Sequence, residues 1–155
     1  MAEVRSQMLD VGTIYHNLLF SYQRSLKNYL GSRSGGYISP TLEHLLSTEE
    51  QGGLKIGNSE TFEEALMNFT DFLVKGKIVK ACNFEKIDEE KYIFKVEGCI
   101  WAGKVHKQVN TEDVTCPYAM VAMALYRKFK GIMAEENGSE YHGNGTETIL
   151  EPAVT

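Results

Sequence analysis

The sequence predicts an α+β domain in which helices pack on a small antiparallel sheet. Apolar residues recur at helical spacing before residue 75 and after residue 115, whereas residues 77–97 alternate between apolar and polar as paired strands do. The segments run in the order helices, hairpin, helices and final strand. This order is typical of an α+β domain and not of a doubly wound parallel sheet.

Length and charge limit the classes of protein that the chain can belong to. Its 155 residues suffice for one domain with a buried core, which we place at 1–150, followed by a frayed tail at 151–155. A net charge of −5 leaves no basic surface for nucleic acid. No apolar run reaches the roughly 18 residues that span a bilayer, and no signal-peptide pattern follows the N-terminus. We therefore expect a cytoplasmic protein without a membrane span.

The first half of the chain predicts three helices. The first extends from Asp10 to Leu30, with apolar residues at intervals of three and four. A shorter helix begins near Ser39, where a proline follows at the first helical position. The third covers Phe62–Leu73, and Thr61 with Glu64 fits a capping box at its start.

The second half predicts a hairpin, two helices and a last strand. Alternating residues place strands at Lys77–Ile87 and Tyr92–Glu97, joined by a polar turn. Helices are expected at 99–108 and 116–130. The polar, glycine-rich segment 134–145 is expected to be a mobile loop, and 146–151 to be the final strand.

Residues 97–120 are the densest in groups that bind or react, because they contain two of the three cysteines, the only tryptophan and a histidine. Cys116 precedes Pro117 at the predicted start of a helix. Backbone N–H groups there stabilise a thiolate, which predicts a pKa below the usual value of about 8.5. Cys116 is then a reactive thiol or a metal ligand. The alternative is a small residue buried at a helix start.

A zinc site is a second hypothesis for this segment. Cys99 and His106 are seven residues apart, so they share a face if the segment is helical. With Cys116 they would form a tetrahedral zinc site, to which Cys82 could add a fourth ligand. Their spacing fits no common zinc motif, so a hydrogen-bonded surface histidine remains the alternative for His106. The odd number of cysteines likewise predicts free thiols or metal ligands, not a disulfide framework.

Aromatic and methionine side chains of the same region are candidates for lining an apolar ligand pocket. The alternative is that they form an ordinary core. The candidates are Tyr92, Phe94, Trp101, Tyr118, Met120 and Met123.

The stretch from Gly98 to Pro117, the helix after it and the closing strand resemble the 4-vinyl reductase domain family. In that family a core of sheet and helices precedes a cysteine that opens a helix, then a loop and a terminal strand. The hairpin and the Phe62–Leu73 helix lie in compatible places, so the resemblance covers about the last hundred residues. It implies an α+β fold related to that of the TRAPP vesicle-tethering subunits.

The resemblance also carries expectations about function. Such domains bind small hydrophobic molecules and often dimerise, some are sensor modules of regulators, and one assists vinyl-group reduction in bacteriochlorophyll synthesis. It implies Cys116 and Cys99 as candidate site positions. The late Gly-Asp-Cys-type signature of the family is missing, because no cysteine follows Cys116. This departure argues against a complete family metal site.

The leading hypothesis is a homodimeric binding module, of regulatory or accessory role, for a small hydrophobic or tetrapyrrole-like ligand. The first alternative is a thiol- or zinc-dependent enzyme with Cys116 as nucleophile and His106 as base. The second is an interaction protein that dimerises or docks through its first helix. The sequence contains no phosphate loop, no nucleophile elbow and no paired-histidine zinc motif, which favours a role other than catalysis.

Overall fold

A computed structural model describes residues 2–31, 44, 47, 56, 58–106, 114–135 and 138–153, with the side chains of the first helix from Ile14 onward. The fold is α+β, as the sequence predicts. Its elements are α1 (Ala2–Leu30), α2 (Phe62–Lys75), β1 (Ala81–Lys86), β2 (Tyr92–Glu97), α3 (Ala102–Val105), α4 (Pro117–Lys130), β3 (Glu140–His142) and β4 (Gly145–Leu150).

The strands form one sheet in the order β1-β2-β4-β3, and every neighbouring pair is antiparallel. Phe84 of β1 lies opposite Phe94 of β2, which in turn lies opposite Thr148 of β4. At the far edge, Tyr141 of β3 pairs with Thr146 of β4. The final strand is therefore central, because it is inserted between the hairpin and β3.

Helices α2 and α4 cover one face of this sheet. On β2 the side chains of Tyr92, Phe94 and Val96 point to that face and are buried, as period-two alternation predicts. The Phe62 ring of α2 packs edge-on against Tyr92 at 4.9 Å and against Tyr126 of α4 at 5.3 Å, between ring centroids. The main core is therefore an aromatic layer between the two helices and the sheet.

Local signals in the sequence produce the expected ends of several elements. The Thr61 hydroxyl accepts a hydrogen bond from the Glu64 N–H at 3.1 Å, which caps α2. Asp88 accepts two backbone N–H groups in the hairpin turn, each at 2.8 Å. Helix α4 begins at Pro117 and ends at Gly131, which has a φ of 74°. These predictions are confirmed.

Three elements begin at residues other than those predicted. Helix α1 begins at Ala2 and not at Asp10. Strand β1 begins at Ala81 and not at Lys77, because Lys77 has a φ of 55° and turns the chain after α2. Helix α3 begins at Ala102, so the described helix does not include Cys99. Of the helix predicted from Ser39, only residues 44 and 47 are among those described, and both are helical.

The end of the chain is more ordered than expected. The segment predicted as a loop contains β3, and its residues after Ser139 form a hairpin with β4. The predicted frayed tail also pairs in part, because the Ala153 N–H donates to the Met133 carbonyl at 2.8 Å and Pro152 bridges to Ala134. Residues 154 and 155 are not among those described.

Helix α1 packs against α3 and lies outside the main core. Although it has 29 residues, neither it nor any other helix of the described ranges combines the length and apolarity that crossing a bilayer needs.

Candidate functional site

The most unusual region of the molecule is the contact between α1 and the rest of the fold. His16, Phe20 and Gln23 are buried on one face of α1, and their i, i+4, i+7 spacing is helical. Gln23 forms two hydrogen bonds with the backbone of Thr115: its Nε2 donates to the carbonyl at 2.9 Å, and its Oε1 accepts from the N–H at 2.8 Å. These bonds attach α1 to the residues just before α4.

Phe20 belongs to a second, smaller apolar cluster. It packs with Val105 of α3 and with Val114, and the half-buried Tyr141 of β3 packs against this group. The Phe20 and Tyr141 rings meet at an interplanar angle of 60°, with centroids 6.3 Å apart. The α1 contact therefore has an apolar centre of its own, separate from the core under α2.

One other histidine and three aromatic rings surround His16 at this contact. Its ring centroid lies 5.7 Å from that of Trp101, 6.2 Å from that of Tyr118 and 6.5 Å from that of His106. His106 in turn meets Tyr141 edge-on at 4.7 Å. Trp101, His106 and Tyr118, which the sequence analysis selected, are thus brought together by a histidine that it did not select.

Both imidazoles are held neutral. Burial, with a smaller contribution from His106, lowers the pKa of His16 to about 4. Burial also lowers the pKa of His106, against the opposing effect of the Gly143 carbonyl. His106 Nδ1 lies 3.3 Å from that carbonyl oxygen, so this nitrogen carries the proton and donates it. The rings contribute polar atoms to the site but no positive charge at neutral pH.

Cys116 is the N-cap residue of α4, as predicted, but its predicted acidity is wrong. The side chain is buried, and burial raises the pKa of its thiol. The Thr146 hydroxyl and the backbone of Ala119 and Tyr118 act in the opposite direction, as expected at a helix start, but burial is the larger effect. Cys116 is therefore a protonated thiol inside the protein.

The cap of α4 is completed by neighbouring hydroxyl groups. The Cys116 N–H donates to the Ser139 hydroxyl at 2.8 Å, and Ser139 also bonds the Thr148 hydroxyl of β4 at 2.6 Å. No hydrogen bond joins Cys116 to His106 among the described residues. The nucleophile and base of the enzymatic hypothesis are thus not paired.

Cys99 and Cys82 are protonated thiols as well. The Cys99 sulfur lies 3.9 Å from the Tyr118 hydroxyl, and burial raises its pKa. Burial, together with the nearby Cys116, raises the pKa of Cys82 to about 12. The three cysteines are free thiols, one of the two states that the sequence predicts.

The predicted zinc ligands do not form a metal group. In the described part of the chain, no three His, Cys, Asp or Glu side chains are placed to hold a metal ion. Because α3 starts only at Ala102, Cys99 and His106 do not share a helical face. The Cys99 sulfur lies beside Tyr118, whereas His106 bonds the Gly143 carbonyl.

The six predicted lining residues separate into two groups. Tyr92, Phe94, Met120 and Met123 are buried, and Tyr92 and Phe94 belong to the aromatic layer of the main core. A surface groove of about 530 Å³ lies beside the ends of β2 and β4. It is lined by Lys95, Val96, Glu97, Gly98, His142, Asn144, Gly145, Thr146 and Glu147, and by none of the six.

Trp101 and Tyr118, in contrast, lie at the α1 contact, where several polar atoms lack a partner. The Trp101 Nε1, the Tyr141 hydroxyl and the Thr146 hydroxyl oxygen are buried without a hydrogen-bond partner among the described residues. Tyr141 and Thr146 lie directly opposite each other on β3 and β4. The chain thus presents two unpartnered donor groups under α1, on Trp101 and Tyr141, because the Thr146 hydroxyl also acts on the Cys116 thiol.

Five residues of this region were not predicted from the sequence: His16, Phe20, Gln23, Tyr141 and Thr146. The helical spacing of His16, Phe20 and Gln23 was their local signal, but two of these residues are polar and lay outside the apolar periodicity. Tyr141 lay in the segment predicted as a loop. Its part in the site depends on the β3–β4 pairing, whose local signal is the two-residue Gly143-Asn144 turn within the segment predicted as a loop.

Comparisons with protein-family models, with curated proteins and with solved structures found no match to this chain.

Proposed function

We propose that this protein is a cytoplasmic binding domain that holds a small hydrophobic ligand, tetrapyrrole-like or otherwise conjugated, between α1 and the body of the fold. The observation that carries the proposal is the pair of buried, unpartnered polar groups at the α1 contact, the Trp101 Nε1 and the Tyr141 hydroxyl. Three free thiols are in keeping with a reducing compartment.

Unpaired buried donors are uncommon because each costs about 1–3 kcal/mol of desolvation free energy. Few such groups occur in a native domain, and each calls for an explanation such as a bound molecule. An indole N–H and a phenolic hydroxyl group can both donate. A ligand with carbonyl or similar oxygen acceptors would satisfy them.

The surroundings favour a ligand that is apolar and flat over most of its surface. The rings of Phe20, Trp101, Tyr118 and Tyr141 offer aromatic faces and edges. The neutral imidazoles of His16 and His106 add no charge that would demand an anionic ligand. Oxygen acceptors on a conjugated, uncharged framework fit both properties.

The enzymatic alternative has less support. A nucleophilic cysteine needs a lowered pKa and a nearby base. Burial has the opposite effect on Cys116, which has no hydrogen bond to His106 among the described residues. The interaction alternative rests on a different surface, the exposed face of α1, and is compatible with ligand binding.

The experiment uses the single tryptophan as its reporter. The purified protein is first measured by native mass spectrometry for a co-purifying small molecule. It is then titrated with protoporphyrin IX dimethyl ester, which carries ester carbonyl oxygens and no charge, and with a naphthoquinone while Trp101 fluorescence is followed. We expect at least one probe to quench Trp101 and to add its mass to the protein.

Tyr141→Phe is the diagnostic variant, and Tyr126→Phe is its matched control because the Tyr126 hydroxyl already donates to the Glu90 carbonyl at 2.8 Å. Loss of one ligand hydrogen bond predicts a dissociation constant about ten-fold higher for Tyr141→Phe. Tyr126→Phe should bind as the wild type does. Absence of any bound mass and of quenching, or equal binding by Tyr141→Phe, would contradict the proposal.

A further inference from the structure

Helix α1 has a second face, which the body of the protein does not cover. Its side chains are aromatic or aliphatic: Ile14, Tyr15, Leu18, Leu19, Tyr22 and Tyr29 are between 47% and 90% exposed. At 3.6 residues per turn, the centre of this face is roughly 140° around the helix from the docked side chains of His16, Phe20 and Gln23. One helix can therefore contact the body with one face and a partner with the other.

The exposed residues follow a regular spacing. From Tyr15 to Leu18 to Tyr22 the steps are three and four residues, and the same alternation extends in both directions along the sequence. The full register is Val4, Met8, Val11, Tyr15, Leu18, Tyr22, Ser25 and Tyr29. Seven of these eight positions are apolar or aromatic, which is the pattern of a two-helix coiled-coil seam and not of an ordinary solvent-facing helix.

The length of α1 and the positions of its charged residues make a second copy of the chain a suitable partner. The 29 residues of α1 extend about 43 Å and contain close to four heptads, enough for a stable seam. The charged residues of α1 at positions 3, 5, 10, 24 and 27 are outside the register. Two copies can thus meet without placing like charges opposite each other in the seam.

The exposed apolar area of α1 is also large enough for a specific interface between two copies. Aromatic side chains bury 150–250 Å² each when fully covered, so the six exposed residues would contribute on the order of 600 Å² per protomer. A pair would bury about 1,200 Å², the lower end of the range for specific interfaces. We propose that a second copy of this chain covers the stripe, through an α1–α1 contact that forms a homodimer. This contact is independent of the proposed ligand.

The test measures mass in solution by sedimentation and light scattering at micromolar concentrations. The wild type is expected at twice the 17.4 kDa chain mass. Leu18→Glu places a charge within the seam and is expected to raise the dimer dissociation constant by about 100-fold or more. Met67→Glu is the matched control, because Met67 is an apolar residue exposed to a similar extent, 55% against 47% for Leu18, but lies on α2. It should leave the dimer intact.

Circular dichroism and thermal melting of the Leu18→Glu monomer would show that the loss of the dimer is not a loss of the fold. A wild-type mass equal to one chain would overturn the inference, because the stripe would then be covered by another part of the same chain or left open. A Leu18→Glu protein as dimeric as the wild type, or a Met67→Glu protein as monomeric as Leu18→Glu, would overturn it as well.

Discussion

The interior under α2 and α4 differs from the interior under α1 in whether its buried polar groups have hydrogen-bond partners. In the main core the polar ends of the aromatic residues are paired: the Tyr92 hydroxyl donates to Glu63 at 2.6 Å and the Tyr126 hydroxyl to the Glu90 carbonyl. Under α1, the Trp101 N–H and the Tyr141 hydroxyl have no such partner in the described chain.

This difference separates a region built for stability from one suited to binding. A buried polar group that has a hydrogen-bond partner costs little folding free energy. A buried polar group without a partner destabilises the fold, so its presence in a native protein calls for an explanation. The same contrast appears in packing. Phe94 is fully buried and stacked on Phe69, while Phe20 is held in a small cluster of a few residues.

The strongest contrast is expected between two phenylalanines. Phe94→Ala should lower the global free energy of unfolding by about 3–5 kcal/mol, because it leaves a cavity in the close-packed main core. Phe20→Ala should lower it by less than half as much, since it releases α1 locally. Urea unfolding measures the first effect, and hydrogen exchange of α1 measures the second. An equal decrease of the global free energy of unfolding in both variants would show that the two regions unfold as one cooperative unit.

Acid should weaken the α1 contact through His16. Its pKa is lowered to about 4, from 6.5 in the unfolded chain, so the folded state excludes a proton that the unfolded state binds. The stability present above about pH 6.5 is therefore lost progressively as the pH falls towards 4, by roughly 3 kcal/mol. We expect the urea midpoint of the wild type to fall over this range.

A pair of variants isolates this effect from the titration of carboxylates. His16→Phe keeps a ring in place without a titrating group, and should show a shallower loss of stability between pH 6.5 and 4. His142→Gln, which changes an exposed histidine of β3, should follow the wild-type curve. An unchanged pH profile for His16→Phe would show that His16 is protonated without cost.

Removal of a single tyrosine hydroxyl group should lower stability in the main core but not under α1. Tyr126→Phe loses a hydrogen bond in the main core and should cost about 1 kcal/mol. Tyr141→Phe removes an unpartnered hydroxyl and should leave the ligand-free protein unchanged or slightly more stable. Thermal melting of protein freed of ligand measures both. A loss of stability in Tyr141→Phe equal to that in Tyr126→Phe would mean that the hydroxyl has a partner in solution.

The last prediction concerns the thiols, where the effect on stability is the smallest but the effect on the reaction rate of the cysteines is clear. At neutral pH the native cysteines should react with a soluble thiol reagent more slowly than a free cysteine, because burial raises each pKa. Gln23→Ala removes the bonds to Thr115 and should speed labelling of Cys116 while leaving that of Cys82 unchanged. Rapid labelling of Cys116 in the folded wild type would instead favour the enzymatic hypothesis.

Much of the fold was predictable because its signals are local. The Thr61 cap, the Asp88 turn, and the proline and glycine at the ends of α4 each act through hydrogen bonds or dihedral angles within a few residues. Strand β3 was missed although the Gly143-Asn144 turn that joins it to β4 is a hairpin signal. The strand has only three residues and lies in a polar, glycine-rich segment, so no apolar alternation supports that signal.

The candidate site was predictable only in part, for a related reason. Periodicity identified α1 as amphipathic, but the residues that dock it are His16, Phe20 and Gln23, and most of its apolar stripe faces outward. A repeating pattern shows that a helix has an apolar face. It does not show which surface, in the same chain or in another, covers that face.

Cys116 shows which properties follow from the sequence alone and which depend on the tertiary structure. The sequence by itself determined that this residue caps a helix, because a proline at the next position and an apolar run after it define a helix start. Only the tertiary structure decided the state of its thiol. The stabilisation by helix N–H groups is local, whereas the desolvation that outweighs it depends on segments distant in sequence that bury the sulfur.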